Sequence, residues 1–133
     1  MVRRKKRAIT LSPLEGEVMR IVWARGQVSS EDVRQALGPS RNLKDSTVRT
    51  VLRRLEAKGA LTHSVDGRTF IYSAPVEPAK MAVDAVKSIV TRFCSGSVSK
   101  LLIGMADDKL VSAEQLRALA DQIEEQRKKE RDS

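Results

Sequence analysis

The apolar positions of the chain follow two rhythms. Leu14, Val18, Ile21 and Val22 recur at helical spacing, and Val33, Ala36 and Leu37 form a second, shorter core-facing set. Val48, Val51, Leu52 and Leu55 stand at i, i+3, i+4 and i+7, one stripe along a third helix. After Gly59 the period shortens to two. "LTHSV" and "RTFIYSA" flank Asp66-Gly67, which predicts a hairpin with a type I′ turn, because that turn needs positive φ at both central residues. Three more helical stripes follow: Ala82, Val86, Ile89, Val90 and Phe93; Val98, Leu101, Leu102 and Met105; Leu116, Leu119, Ala120 and Ile123.

Local signals mark the ends of these elements. Ser12 suits an N-cap, Pro13 the first helical position, Glu15 and Glu17 the positive end of the helix dipole, and Gly26 the stop. Ser29 or Ser30 caps the second helix and Gly38 ends it, while Asp45 or Ser46 is expected to cap the third. "QVSS" reads as short and extended. Ser112 with Gln115 can form a capping box on the last helix. Two prolines in "APVEPAK" close the last strand and open a new helix, which marks a boundary.

The order is helix, extended segment, helix, loop, helix, hairpin. A helix pair joined by a loop predicts a helix-turn-helix, and the hairpin after it a wing. The expected fold is mainly α with a small β-hairpin wing. It comprises a basic arm (residues 1–10), a winged helix-turn-helix DNA-binding domain (11–75) and a helical dimerisation region (76–133). The arm is either a plain tail or a phosphate-contacting segment.

The third helix shows what the protein meets. At roughly 100° per residue, the side opposite its apolar stripe carries Ser46, Thr50, Arg53 and Ala57, flanked by Arg49 and Arg54. No acid lies on that central line, whereas an ordinary solvated face mixes both signs. The face suits an anion. Charge along the chain agrees: residues 1–74 hold 15 Lys and Arg against 7 Asp and Glu, and residues 75–133 hold 10 of each, so the whole net charge of +8 lies in the first part. A basic domain joined to a neutral one predicts a polyanion partner for the first. Lys44, Arg49, Arg53 and Arg54, with the arm and the wing, would supply salt-dependent phosphate contacts, and Ser46, Thr50 and one arginine would read base edges. Arg68 at the hairpin tip either meets a phosphate or is a solvated turn residue.

Other functions fit poorly. His63 is the one histidine and reads as a strand surface or packing residue; Cys94 is the one cysteine. Neither a catalytic Ser/His/Asp set, nor a Gly-rich phosphate loop, nor metal-ligand spacing can be assembled, so no enzyme, metal or cofactor is expected. The apolar runs are too short for a membrane span and the basic N-terminus lacks a following apolar region, so a cytoplasmic protein is expected. A sequence-indifferent DNA binder or a winged helix used for protein interaction stands as the alternative. Three short amphipathic helices make a poor independent core without disulfide or metal. Pairing with a second copy would bury Val86, Ile89, Val90, Phe93, Leu101, Leu102, Met105, Leu116, Leu119 and Ile123. Such a dimer would set two recognition helices about 34 Å apart, matching successive turns of DNA.

Three motifs resemble one family. "LSPLEGEVMRIVW" is similar to the opening of the penicillinase and methicillin-resistance repressors, "STVRTVLRRLEAKGAL" to their recognition helix, and "DGRTFIY" to their wing. The likeness extends over about residues 9–127. It implies a homodimeric winged-helix repressor on an inverted-repeat operator of double-stranded DNA, with some members released when a membrane-bound sensor-protease signals their cleavage. It implies DNA-facing roles for Thr47, Arg49, Thr50 and Arg53, and for Arg68 on the wing. Thr47 lies off the central line, so a phosphate contact is expected there. Trp23 closes the first motif and is expected to pack between helix 1 and the wing. Two departures stand out. Where antibiotic-resistance members are cut at an Asn-Phe pair, this chain has Gly104-Met105, and the Cys-x-Cys motifs of copper-sensing relatives are replaced by Cys94 alone.

Overall fold

The computed structural model describes residues 8–132. Helices α1 (Pro13–Arg25), α2 (Ser30–Leu37) and α3 (Asp45–Ala57) precede strands β1 (Thr62–Asp66) and β2 (Thr69–Ser73), followed by α4 (Pro78–Phe93), α5 (Val98–Asp107) and α6 (Ala113–Arg131). The predicted arm falls mainly on residues outside those described. Its last residues are tied down: Ile9 packs on the core, and the Thr10 carbonyl accepts from Lys58 Nζ at 2.9 Å.

The serine caps form as the sequence predicts. Ser12 and Glu15 close a capping box on α1, Ser29 and Asp32 one on α2, and Ser112 and Gln115 one on α6. The third helix departs from expectation. It begins one residue earlier, so Lys44 rather than Asp45 or Ser46 is the N-cap, and no side chain bonds its first N–H groups. Gly26 and Gly59 end their helices with φ of +85°, a conformation only glycine adopts without strain.

Residues up to Ser88 form one compact unit and Ile89 onward a second, so α4 crosses the division. The core of the first unit joins Val18, Met19 and Val22 of α1, Val33 of α2, and Val48, Val51, Leu52 and Leu55 of α3. Val28, Ala60, Leu61, Tyr72 and Met81 complete it. Met19 lies outside the predicted stripe yet is fully buried. The reason is that α1 packs against α2, α3 and β2 together, so its buried arc is wider than one stripe. The reverse holds for Ala36, predicted as core and found exposed. Its helix is only two turns long and turns Val33 fully inward, with Leu37 half-buried.

The extended "QVSS" segment becomes part of the sheet edge. Val28 pairs with Tyr72 in antiparallel fashion, N–H to carbonyl in both directions at 3.0 and 2.7 Å. The β1–β2 register pairs Asp66 with Thr69, leaving Gly67 and Arg68 as the two-residue turn. That corrects the type I′ expectation with Asp66-Gly67 at its centre. Gly67 has φ of +64° and Arg68 is not among the positive-φ residues, the pattern of a type II′ turn with glycine at its first central position. Trp23 is half-buried, and its indole N–H donates to the Val76 carbonyl at 3.0 Å. Its polar partner is thus the segment after the wing rather than the wing itself.

The second unit contains the end of α4 with α5 and α6. Among the described residues, neither α5 nor α6 fully buries a side chain. Among the described residues, too, no single helix is long and apolar enough to cross a membrane.

Candidate nucleic-acid interface

The two sides of α3 differ completely. Val48, Val51, Leu52 and Leu55 are buried, while Ser46, Thr47, Arg49, Thr50, Arg53 and Arg54 are all exposed, as is Lys44 just before the helix. Burial of four aliphatic side chains, at roughly 1.5–3 kcal/mol each, holds the helix in this rotation. The sequence periodicity therefore assigned these residues to the correct faces. Arg68 is exposed too, at the second position of the wing turn.

The hydrogen bonds of the exposed face refine what each side chain can offer. The Thr50 hydroxyl donates to the Ser46 carbonyl at 2.9 Å. Its proton is committed within the helix, which leaves its lone pairs and methyl group as outward-facing chemistry. Arg49 Nε pairs with the Asp45 carboxylate at 3.0 Å in an exposed i,i+4 contact, worth only about 0.3–0.5 kcal/mol. Among the described residues no ion pair holds Arg53, Arg54, Lys44 or Arg68. The uncapped first turn of α3 adds backbone N–H groups and the positive end of the dipole beside Lys44.

Two side-chain ties brace α3 from behind. Lys58, at its C-cap, donates to Glu15 Oε1 at 2.8 Å. Glu15 is only 3% exposed, and its Oε1 also accepts from the Ser12 backbone N–H at 2.8 Å. Burial pushes the Glu15 carboxyl upward, but Lys58 and the Ser12 groups outweigh it and hold the group below its ordinary value of 4.5. Near the same end, His63 Nδ1 of β1 lies 2.8 and 2.7 Å from the two Glu56 oxygens. The His63 ring stacks on Phe70, centroids 4.2 Å apart, and tilts against Tyr72. Burial, then the Glu56 charge, push the Tyr72 phenol above its ordinary value against the opposing pull of Arg53 and Arg49. Periodicity could not reveal the Glu56–His63 contact, since it joins a helix to a strand across a glycine turn.

The predicted dimerisation residues lie on α4, α5 and α6. Val86, Ile89, Phe93, Leu119 and Ile123 are exposed, Phe93 by 79%, and Leu101, Leu102, Met105 and Leu116 are half-buried. Val90 differs: at 5% exposed its burial is met within the single chain, which leaves little of it for a partner. Gly104 and Met105 lie inside α5 with their backbone in helical hydrogen bonds. Among the described residues no cluster of His, Cys, Asp and Glu is able to hold a metal ion.

Residues 11–125 match the sequence profile of penicillinase repressors. An uncharacterized 16.5 kDa protein from the ptsI 3′ region of Latilactobacillus sakei is 38% identical over 98 residues, 74% of this chain and 67% of that one. The penicillinase repressor of Bacillus licheniformis is 25% identical over 127 residues, 96% of this chain and 99% of that one. The solved DNA-binding domain of the repressor BlaI superposes with a TM-score of 0.50 at 30% identity, covering 57% of this chain and 93% of that domain.

Proposed function

The chain belongs to the penicillinase repressor family, and from that membership we propose that it represses transcription as a homodimer seated on an inverted-repeat operator. It is a DNA-binding repressor rather than an enzyme. Bound at a promoter-overlapping site, it excludes polymerase by occupying the DNA, and it acts in the cytoplasm, where that DNA is.

The observation that carries this reading is the outward face of α3. Ser46, Thr50 and Arg53 lie on one line, with Arg49 and Arg54 beside them, in the part of the chain that holds all the net positive charge. Arg53 is suited to a bidentate contact with guanine O6 and N7 in the major groove. Thr50, with its proton committed, accepts from an exocyclic amine or packs its methyl on thymine. Lys44, Thr47, Arg49, Arg54 and the open first turn of α3 take phosphates, and Arg68 does the same from the wing.

The second unit supports the dimer. A segment in which α5 and α6 fully bury no side chain, yet which exposes Ile89, Phe93, Ile103, Leu110 and Ile123, is unstable in water until that surface is covered. A second copy covers it symmetrically. Release follows an inducing signal, with a membrane-bound sensor-protease as the partner. Cleavage at Gly104–Met105 first requires α5 to open locally, because a protease takes extended backbone.

The test is a binding competition between a palindromic site and random DNA over a salt series, with sedimentation at micromolar protein. The reading expects a dimer, a strong preference for the palindrome and a steep loss of affinity with salt. Equal affinity for both DNAs would indicate a sequence-indifferent binder, and salt-insensitive or absent binding a protein-interaction module. A monomer under these conditions would refute the dimer.

A further inference from the structure

We propose that His63 is a positioning residue for DNA binding: its hydrogen bond to Glu56 holds the wing on the recognition helix and so aims Arg68. The inference rests on the proposed contact of Arg68 with a phosphate. A two-stranded ribbon is marginal by itself and needs outside support to hold one orientation. Here each strand has its own attachment. Strand β2 is held by the backbone pair between Tyr72 and Val28, and by burial of the Tyr72 side chain. Strand β1 has its polar attachment at His63, directly opposite Tyr72 in the register. Among the described residues, the Glu56–His63 contact is the one side-chain hydrogen bond between α3 and the hairpin.

The outer part of the ribbon has no comparable support. Val65 and Phe70, the next pair on the same face, are 60% and 46% exposed. Arg68 stands four residues beyond Tyr72, a lever of about 13 Å at ~3.3 Å per residue. A small rotation at the base therefore carries the guanidinium several ångströms at the tip. Buried Leu61 fixes where β1 begins, and the His63 tie, two residues further out, holds the strand against α3 beyond that point. The ring is itself well placed for the task, stacked within 7° of parallel on Phe70. Because a carboxylate only accepts, Nδ1 must carry the proton in this contact. The position is far enough from the tip that His63 acts through Arg68 and not on DNA directly.

The experiment measures the slope of log affinity against log salt on an operator-containing duplex, with the full chain. Removal of one phosphate contact lowers the slope by about 0.9. A partly unfolded sample loses affinity but keeps its slope, so the readout separates aiming from stability. Arg68→Ala is expected to lower the slope by one contact. His63→Phe, which retains an aromatic ring for Phe70 but no Nδ1, is expected to do the same, and the double variant to match Arg68→Ala alone. Glu56→Ala should also lower the slope, and Glu56→Gln, which retains a carbonyl acceptor, should restore it. An unchanged slope in His63→Phe, or a double variant that falls further than Arg68→Ala, overturns the positioning role. If Arg68→Ala itself leaves the slope unchanged, the wing contact is wrong and the inference falls with it.

Discussion

At the residue scale, two side chains illustrate opposite sources of importance. Arg53 is exposed and held by no ion pair among the described residues, so its removal should leave the fold intact. Arg53→Ala is expected to weaken operator binding by ~1–3 kcal/mol, roughly fivefold to 150-fold, with an unchanged melting curve; gel shift beside circular dichroism measures both. Lys58 matters for stability. It is the cation that compensates Glu15, a carboxylate 3% exposed whose second oxygen has no hydrogen-bond partner among the described residues. Since Glu15 titrates below its ordinary 4.5, its contribution is complete above that value and is lost as pH falls through the lowered one. Lys58→Met should cost about 2 kcal/mol at neutral pH, because a buried acceptor loses its charged hydrogen bond. It should also move acid unfolding to higher pH, followed by far-ultraviolet circular dichroism on titration. The exposed position of Arg53 was legible from periodicity, because a stripe of four aliphatics defines its opposite. Lys58 was not: its partners Thr10 and Glu15 lie 48 and 43 residues away.

At the scale of elements, helix caps and strand alternation proved sufficient to locate almost every helix and strand. The misreadings have two causes. The wing turn was displaced by one residue, from Asp66-Gly67 to Gly67-Arg68, because pairing of Asp66 with Thr69 continues the ladder up to the glycine. Ala36 was expected in the core and is exposed, and Met19, outside the expected stripe, is buried, because burial depends on how many neighbours surround a helix. Gly67 carries a specific demand, φ of +64°, while the space a Cβ would occupy there is open, with no atom beyond its two chain neighbours within 4 Å. Gly67→Ala should therefore cost about 1 kcal/mol through backbone strain alone, seen as a lowered melting temperature. Gly67→Asn, which tolerates positive φ, should recover part of that loss.

At the scale of the whole molecule, the chain divides its chemistry between two compact units. The first has a conventional buried core; the second exposes most of its apolar side chains. If the second exists to pair with its copy, charges placed on that surface should separate the protomers without melting the winged helix. Ile89→Glu with Ile123→Glu is expected to yield a monomer in sedimentation and to lower operator affinity by at least tenfold, because two linked half-sites bind more tightly than one. A palindromic duplex and a single half-site should then bind the variant alike.

The sequence by itself determined the helix and strand order, the aliphatic and cationic sides of α3, and the confinement of net charge to residues 1–74. These are properties of spacing and composition along a short span, which helix and strand geometry convert directly into faces. Only the tertiary structure decided that Glu15 is buried against Lys58, that Val28 joins the sheet at Tyr72, and that Glu56 meets His63. Each of these joins two elements, and where one element lies on another is set by packing of the whole core rather than by any local period.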